Sequence, residues 1–110
     1  MTYSFCLTRR CLGADARIEC EVFPLCSDQG LWVLLCVAGM QGAQPSELRV
    51  QGPFRGVAMA RSILDAIGSS LREQGYEDGE GPAMWQLHMR SELRRVNADQ
   101  ARLFRGWEGR

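Results

Sequence analysis

The chain contains no lysine at all. Its 13 basic residues are all arginine, and they balance 13 acidic residues. Arg-favouring codon usage accounts for this, with selection for bidentate anion recognition as the sharper alternative. There is a single histidine, His88, with no serine or cysteine nucleophile motif around it, which removes the usual signature of a catalytic triad. The five cysteines (6, 11, 20, 26 and 36) include no Cys-x-x-Cys pair, and their odd number and irregular spacing do not form a disulfide framework. A zinc site built from them would need ligands gathered from distant strands, so free thiols are expected. The longest apolar run, Leu31 to Met40, is about half the length that a bilayer span requires. The first residues, Met-Thr-Tyr-Ser, lack the basic start of an export signal, so a cytoplasmic protein without membrane contact is expected.

Other chemistry-bearing patterns are missing too. Gly52-Pro53-Phe54-Arg55-Gly56 precedes a helix but is neither a phosphate loop nor a dinucleotide fingerprint. The acidic run Glu77, Asp78, Glu80 reads as an exposed loop after the first helix, and it lacks the alternating ligands and closing glutamate of a calcium loop. Glu19 and Glu21 share one face of a strand and read as its solvated side. These absences predict no cofactor, no metal and no catalytic residues.

What is present is enough to build a core. A chain of 110 residues suits one domain and buries roughly two-thirds of its unfolded surface. The first half is β in character. Residues 2–8 alternate, and in 16–23 Ile18, Cys20 and Val22 oppose Arg17, Glu19 and Glu21. Residues 31–38 are apolar on both faces, and 47–51 form a short fourth strand. From about Arg55 to Gln74 the period becomes helical, with Val57, Ala60, Ile63, Leu64, Ile67 and Leu71 on one side. A second helix is predicted over roughly 83–105, because Trp85, Met89, Leu93, Val96, Leu103, Phe104 and Trp107 share one arc. The competing readings are a strand at 84–89 and a helix break near Asn97. The expected fold is a single α+β domain over 1–110, a four-stranded antiparallel β-meander followed by two amphipathic helices (β-β-β-β-α-α).

Two surfaces stand out as candidates for binding. Arg90, Arg94, Arg95, Arg102 and Arg105 project into an arc of roughly 140° on the back of the last helix. Such a stripe suits an acidic protein surface or nucleic-acid phosphates. The run 31–38 supplies the other. If both helices cover one sheet face, Trp32, Leu34 and Cys36, joined by Phe23, form an apolar outer face of the kind that marks an interface. The alternatives are helices on opposite faces, a curled sheet, or a small-ligand cavity. The expectation is therefore a small bacterial interaction protein, non-enzymatic and homodimeric, acting through that sheet face and the arginine stripe. A nucleic-acid-binding module is the alternative, followed by a small-ligand carrier or small enzyme.

Overall fold

A computed structural model describes residues 3–25, 30–79 and 84–108, with side chains of the last helix described as far as Asp99. Strands β1 (Ser4–Cys11), β2 (Ala14–Pro24), β3 (Leu31–Met40) and β4 (Pro45–Arg55) form the antiparallel meander expected from the sequence. Helix α1 (Val57–Glu73) follows, then a two-residue strand β5 (Glu77–Asp78), then helix α2 (Gln86–Glu108). The sheet order is β4-β3-β2-β1-β5. The fifth strand is a departure from the sequence reading: the acidic run, expected to be an exposed loop, pairs Glu77 with Thr8 and Asp78 with Leu7. Two residues carry no readable alternation, so only their neighbour β1 reveals them.

The first hairpin closes on Leu12 (φ 49°) and Gly13 (φ 86°). Two positive φ values in a two-residue loop give the turn whose twist matches that of the strands, a turn that favours Asn-Gly. Leu12 adopts that conformation with its side chain fully exposed, so nothing offsets the steric cost. Leu12→Asn should therefore stabilise the fold by about 1 kcal/mol, read as a raised urea midpoint at unchanged slope; an unchanged or lowered midpoint contradicts the assignment.

The helical readings hold. Ala60, Leu64 and Gly68 of α1 are buried, with Val57, Ile63 and Ile67 packed around them. Residues 86–108 form one helix without a break at Asn97, and residues 84–85 lead into it rather than pairing in the sheet.

The arrangement of the helices corrects the sequence reading. They lie on opposite faces of the sheet. Leu34 packs with Cys20, Val22, Ala60 and Leu64 beneath α1, with Trp32 and Cys36 at the margin of that cluster. Leu35 and Val37, pointing the other way, pack with Trp85 and Met89 of the α2 segment, joined by Phe23 and Leu93. A strand apolar on both faces is satisfied by a cover on each. Continuous hydrophobicity in 31–38 thus reflects two cores, not one core and one exposed patch.

Candidate functional site

The four residues expected to form one interface, Phe23, Trp32, Leu34 and Cys36, do not share a face. Trp32, Leu34 and Cys36 belong to the α1 side and Phe23 to the α2 side, and Leu34 is fully buried. They contribute to the cores.

The second correction concerns the supposedly solvated side of β2. Arg17 and Glu19 are 1% and 2% exposed. The Arg17 guanidinium donates from Nε to Glu19 Oε2 at 2.6 Å, and from an outer nitrogen to Gln41 Oε1 at 3.5 Å. Glu19 also accepts from two backbone donors, Met84 N–H (2.8 Å, Oε2) and Trp85 N–H (3.2 Å, Oε1). A carboxylate from the middle of the sheet thus satisfies N–H groups at the start of α2, where the helix dipole favours negative charge. Trp85 completes the anchor: its indole N–H donates to Ala43 carbonyl oxygen at 3.2 Å, and its ring lies over Gly39. A Cβ at Gly39 would stand 3.3 Å from that ring and 3.0 Å from the Pro45 backbone, so this close approach favours glycine. Nearby, burial pushes the Glu21 carboxyl above its ordinary range, against the opposing pull of Arg90. Alternation correctly placed Glu19 on the second face of the strand. What it could not reveal is that α2 covers that face.

So anchored, α2 keeps the described arginines out of the core. Arg90, Arg94 and Arg95 are exposed, as is His88. Arg95 is paired with Glu92 and Asp99 along the helix, which offsets part of the positive charge of the described stripe. The expected contributions of Arg102 and Arg105 lie outside the residues whose side chains are described. No described helix is long and apolar enough to cross a membrane.

The surface that sequence reasoning missed is the outer edge of β4. All of Pro45–Arg55 is exposed except Pro45 and Phe54, which are half-buried. Among the described residues, β4 pairs only with β3. Its hydrogen-bonding direction follows from the neighbouring pairs. Leu25 N–H bonds Leu31 carbonyl oxygen and Gln41 N–H bonds Asp15 carbonyl oxygen, each at 2.8 Å. These mark the odd-numbered residues of β2 and β3 as the mutually bonded pairs across that ladder. Leu34, Cys36 and Ala38 therefore direct their backbone groups to β4, bonding Gln51, Arg49 and Glu47. Leu48 and Val50, between those positions, point their N–H and C=O groups outward. Their side chains are partly exposed on the α2 face, while Glu47 and Arg49 lie on the α1 face and pair with each other at 2.8 Å. The sequence did carry a signal: the last strand of a meander ends at a sheet edge, and Glu-Leu-Arg-Val-Gln alternates charge with apolar residues.

Searches among curated proteins and among solved structures each found no match. A family model, that of the PA4575-like proteins, matches residues 1–108. Nearly the whole chain is covered, and the protein belongs to the PA4575-like family.

Proposed function

We propose that the protein is a non-enzymatic interaction protein that forms a homodimer through its β4 edges, leaving the arginine face of each α2 turned toward an acidic protein partner. The observation that carries this reading is the outward-directed backbone of Leu48 and Val50 on a long exposed edge strand. Such an edge is a template for strand addition, and natural proteins cover or blunt it when it is not used.

Charge selects a second copy as the occupant and fixes the register. In an antiparallel pair centred on Leu48, Glu47 of one copy faces Arg49 of the other, and the reciprocal pair forms by symmetry. Leu48 then meets its own counterpart on the α2 face, in a hydrogen-bonded position. Centring the axis on Arg49 would instead place two guanidinium groups together, which disfavours that register. A contact of this kind is self-complementary and closes after two copies.

Leu48→Pro is the informative substitution, because it deletes an N–H that the fold itself does not use, and proline is tolerated at such edge positions. Sedimentation velocity of the wild type at micromolar concentration should give a dimer. Leu48→Pro should give a monomer with an unchanged circular dichroism spectrum. Glu47→Arg and Arg49→Glu should each weaken the dimer by about tenfold or more, and the double swap should restore it. A wild type that stays monomeric up to roughly 100 μM, a concentration at which even weak specific pairs assemble, overturns the proposal.

A further inference from the structure

On the α1 face, the helix leaves part of the sheet uncovered, and a pocket of about 260 Å³ opens there. Its floor holds two cysteines from adjacent strands, Cys20 and Cys36, with Ile18, Ile67 and Leu71 as apolar walls and Arg49 at the rim. Cys20 and Cys36 are direct register partners. The bonded pairs of this ladder fall at odd positions, so Cys20/Cys36 is a non-hydrogen-bonded pair, the kind in which facing side chains stand closest. Its usual Cα separation of about 4.5 Å falls within the range a disulfide spans without backbone movement.

The two thiols differ in access. Cys20 is 1% exposed, while Cys36 is half-buried and reaches the pocket. They also differ in acidity. A hydrogen bond from Cys20 holds the Cys36 thiol below its ordinary value, with Arg49 acting the same way against the effect of burial. Cys20, as the donor in that bond and deeply buried, is pushed upward. One sulfur is thus accessible and acidic, and the other is held directly behind it with its proton.

We infer that Cys20 and Cys36 form a thiol–disulfide exchange site, in which Cys36 attacks a small disulfide entering the pocket and Cys20 resolves the product. In the first step the Cys36 thiolate, its proton having passed to solvent, bonds one sulfur of the small disulfide. The S–S bond breaks, and one small thiolate departs and takes up a proton. In the second step Cys20 Sγ attacks Cys36 Sγ and the mixed disulfide breaks. The second small thiolate then leaves with the proton from Cys20. Overall, the protein dithiol is oxidised to one cross-strand disulfide, and one small disulfide is reduced to two thiols. The two sulfurs and the apolar walls lie within one copy; Arg49 at the rim also enters the proposed β4 pairing, so the Cys20 and Cys36 variants test the site apart from the dimer.

The test uses the full chain, fully reduced, mixed with oxidised glutathione, quenched with acid, and followed by intact mass and non-reducing peptide mapping. The wild type should lose the mass of two hydrogens and yield a peptide linking Cys20 to Cys36. Cys20→Ala should stop at a single glutathione on Cys36. Cys36→Ser should slow the reaction by about tenfold or more, whereas Cys11→Ser should leave it unchanged. Arg49→Gln, at an exposed position, keeps the test independent of core packing and should also slow the first step. Glutathione on Cys6, Cys11 or Cys26 with Cys36 still reduced overturns the inference, as does a Cys36→Ser variant that reacts at the wild-type rate.

Discussion

Replacing Glu19 with alanine should destabilise the protein by about 3–5 kcal/mol, the cost of removing one partner from a buried ion pair. Three donors lose the Glu19 carboxylate at once: the Arg17 guanidinium, 1% exposed, and the backbone N–H groups of Met84 and Trp85. A surface pair such as Arg49–Glu47 or Arg72–Asp78 would cost little when broken, because water replaces the lost partner. Around Arg17 the sheet and α2 keep water out, so solvent cannot replace the lost carboxylate as it would at the surface. Native stability of a domain is only about 5–15 kcal/mol, so this single change removes a large share of it. At about 4 °C per kcal/mol for a chain of this size, the melting temperature should fall by roughly 12–20 °C.

The double substitution Arg17→Met, Glu19→Leu separates the two parts of that loss. It removes the buried guanidinium together with its carboxylate, and a buried pair exchanged for apolar side chains is often neutral or better. The N–H groups of Met84 and Trp85 would still lack their acceptor, so only partial recovery is expected. A Glu19→Ala loss below about 1 kcal/mol, the level of a surface pair, would show that the carboxylate is not the anchor of α2.

The meander, the helical spans and most of the α1 core were legible in the sequence, because each rests on a local period. Cys20 and Val22 alternate with charged residues, and Ala60 and Leu64 recur at helical spacing, so their burial could be read along the chain. Beyond the short β5, the two errors about burial arose where the burial of one element depends on where a distant one lands. Arg17, Glu19 and Glu21 look like a solvated strand face until α2, some 65 residues later, settles over them. Trp32 and Leu34 look like an exposed patch until the two helices are seen to take opposite faces. The Cys20–Cys36 pair was hidden for the same reason. Only the β2–β3 register brings together cysteines that are 16 positions apart in sequence. The β4 edge was missed for a different cause: exposure of backbone groups leaves almost no trace in side-chain pattern beyond the modest alternation of residues 47–51.

Trp85→Ala is expected to be the second most damaging change, at about 3–5 kcal/mol, and its effect should be concentrated in one part of the fold. Trp85 is buried over Leu35 and Val37 together with Met89 and Leu93, and its indole N–H bonds Ala43. These few residues fasten the start of a 23-residue helix. α1 is held differently, along its length, against β1 through β4. Removing the indole leaves a cavity beside Gly39 that backbone cannot fill, because the neighbouring strand is fixed by its ladder. It also leaves the Ala43 carbonyl without its donor. Local opening free energies follow how much apolar contact holds each segment, so α2 should come loose well below the global transition. Amide hydrogen exchange in Trp85→Ala should therefore accelerate throughout Gln86–Asp99 while β2 and β3 keep most of their protection. Trp85→Phe retains the packing but not the donor, so it should cost only about 1–2 kcal/mol and leave α2 protected. Uniform loss of protection across sheet and helix would show that α2 is part of one cooperative core. The arginine face is carried by α2 and positioned by this anchor, so the proposed partner binding through Arg90 and Arg94 should weaken in Trp85→Ala even though neither arginine is altered.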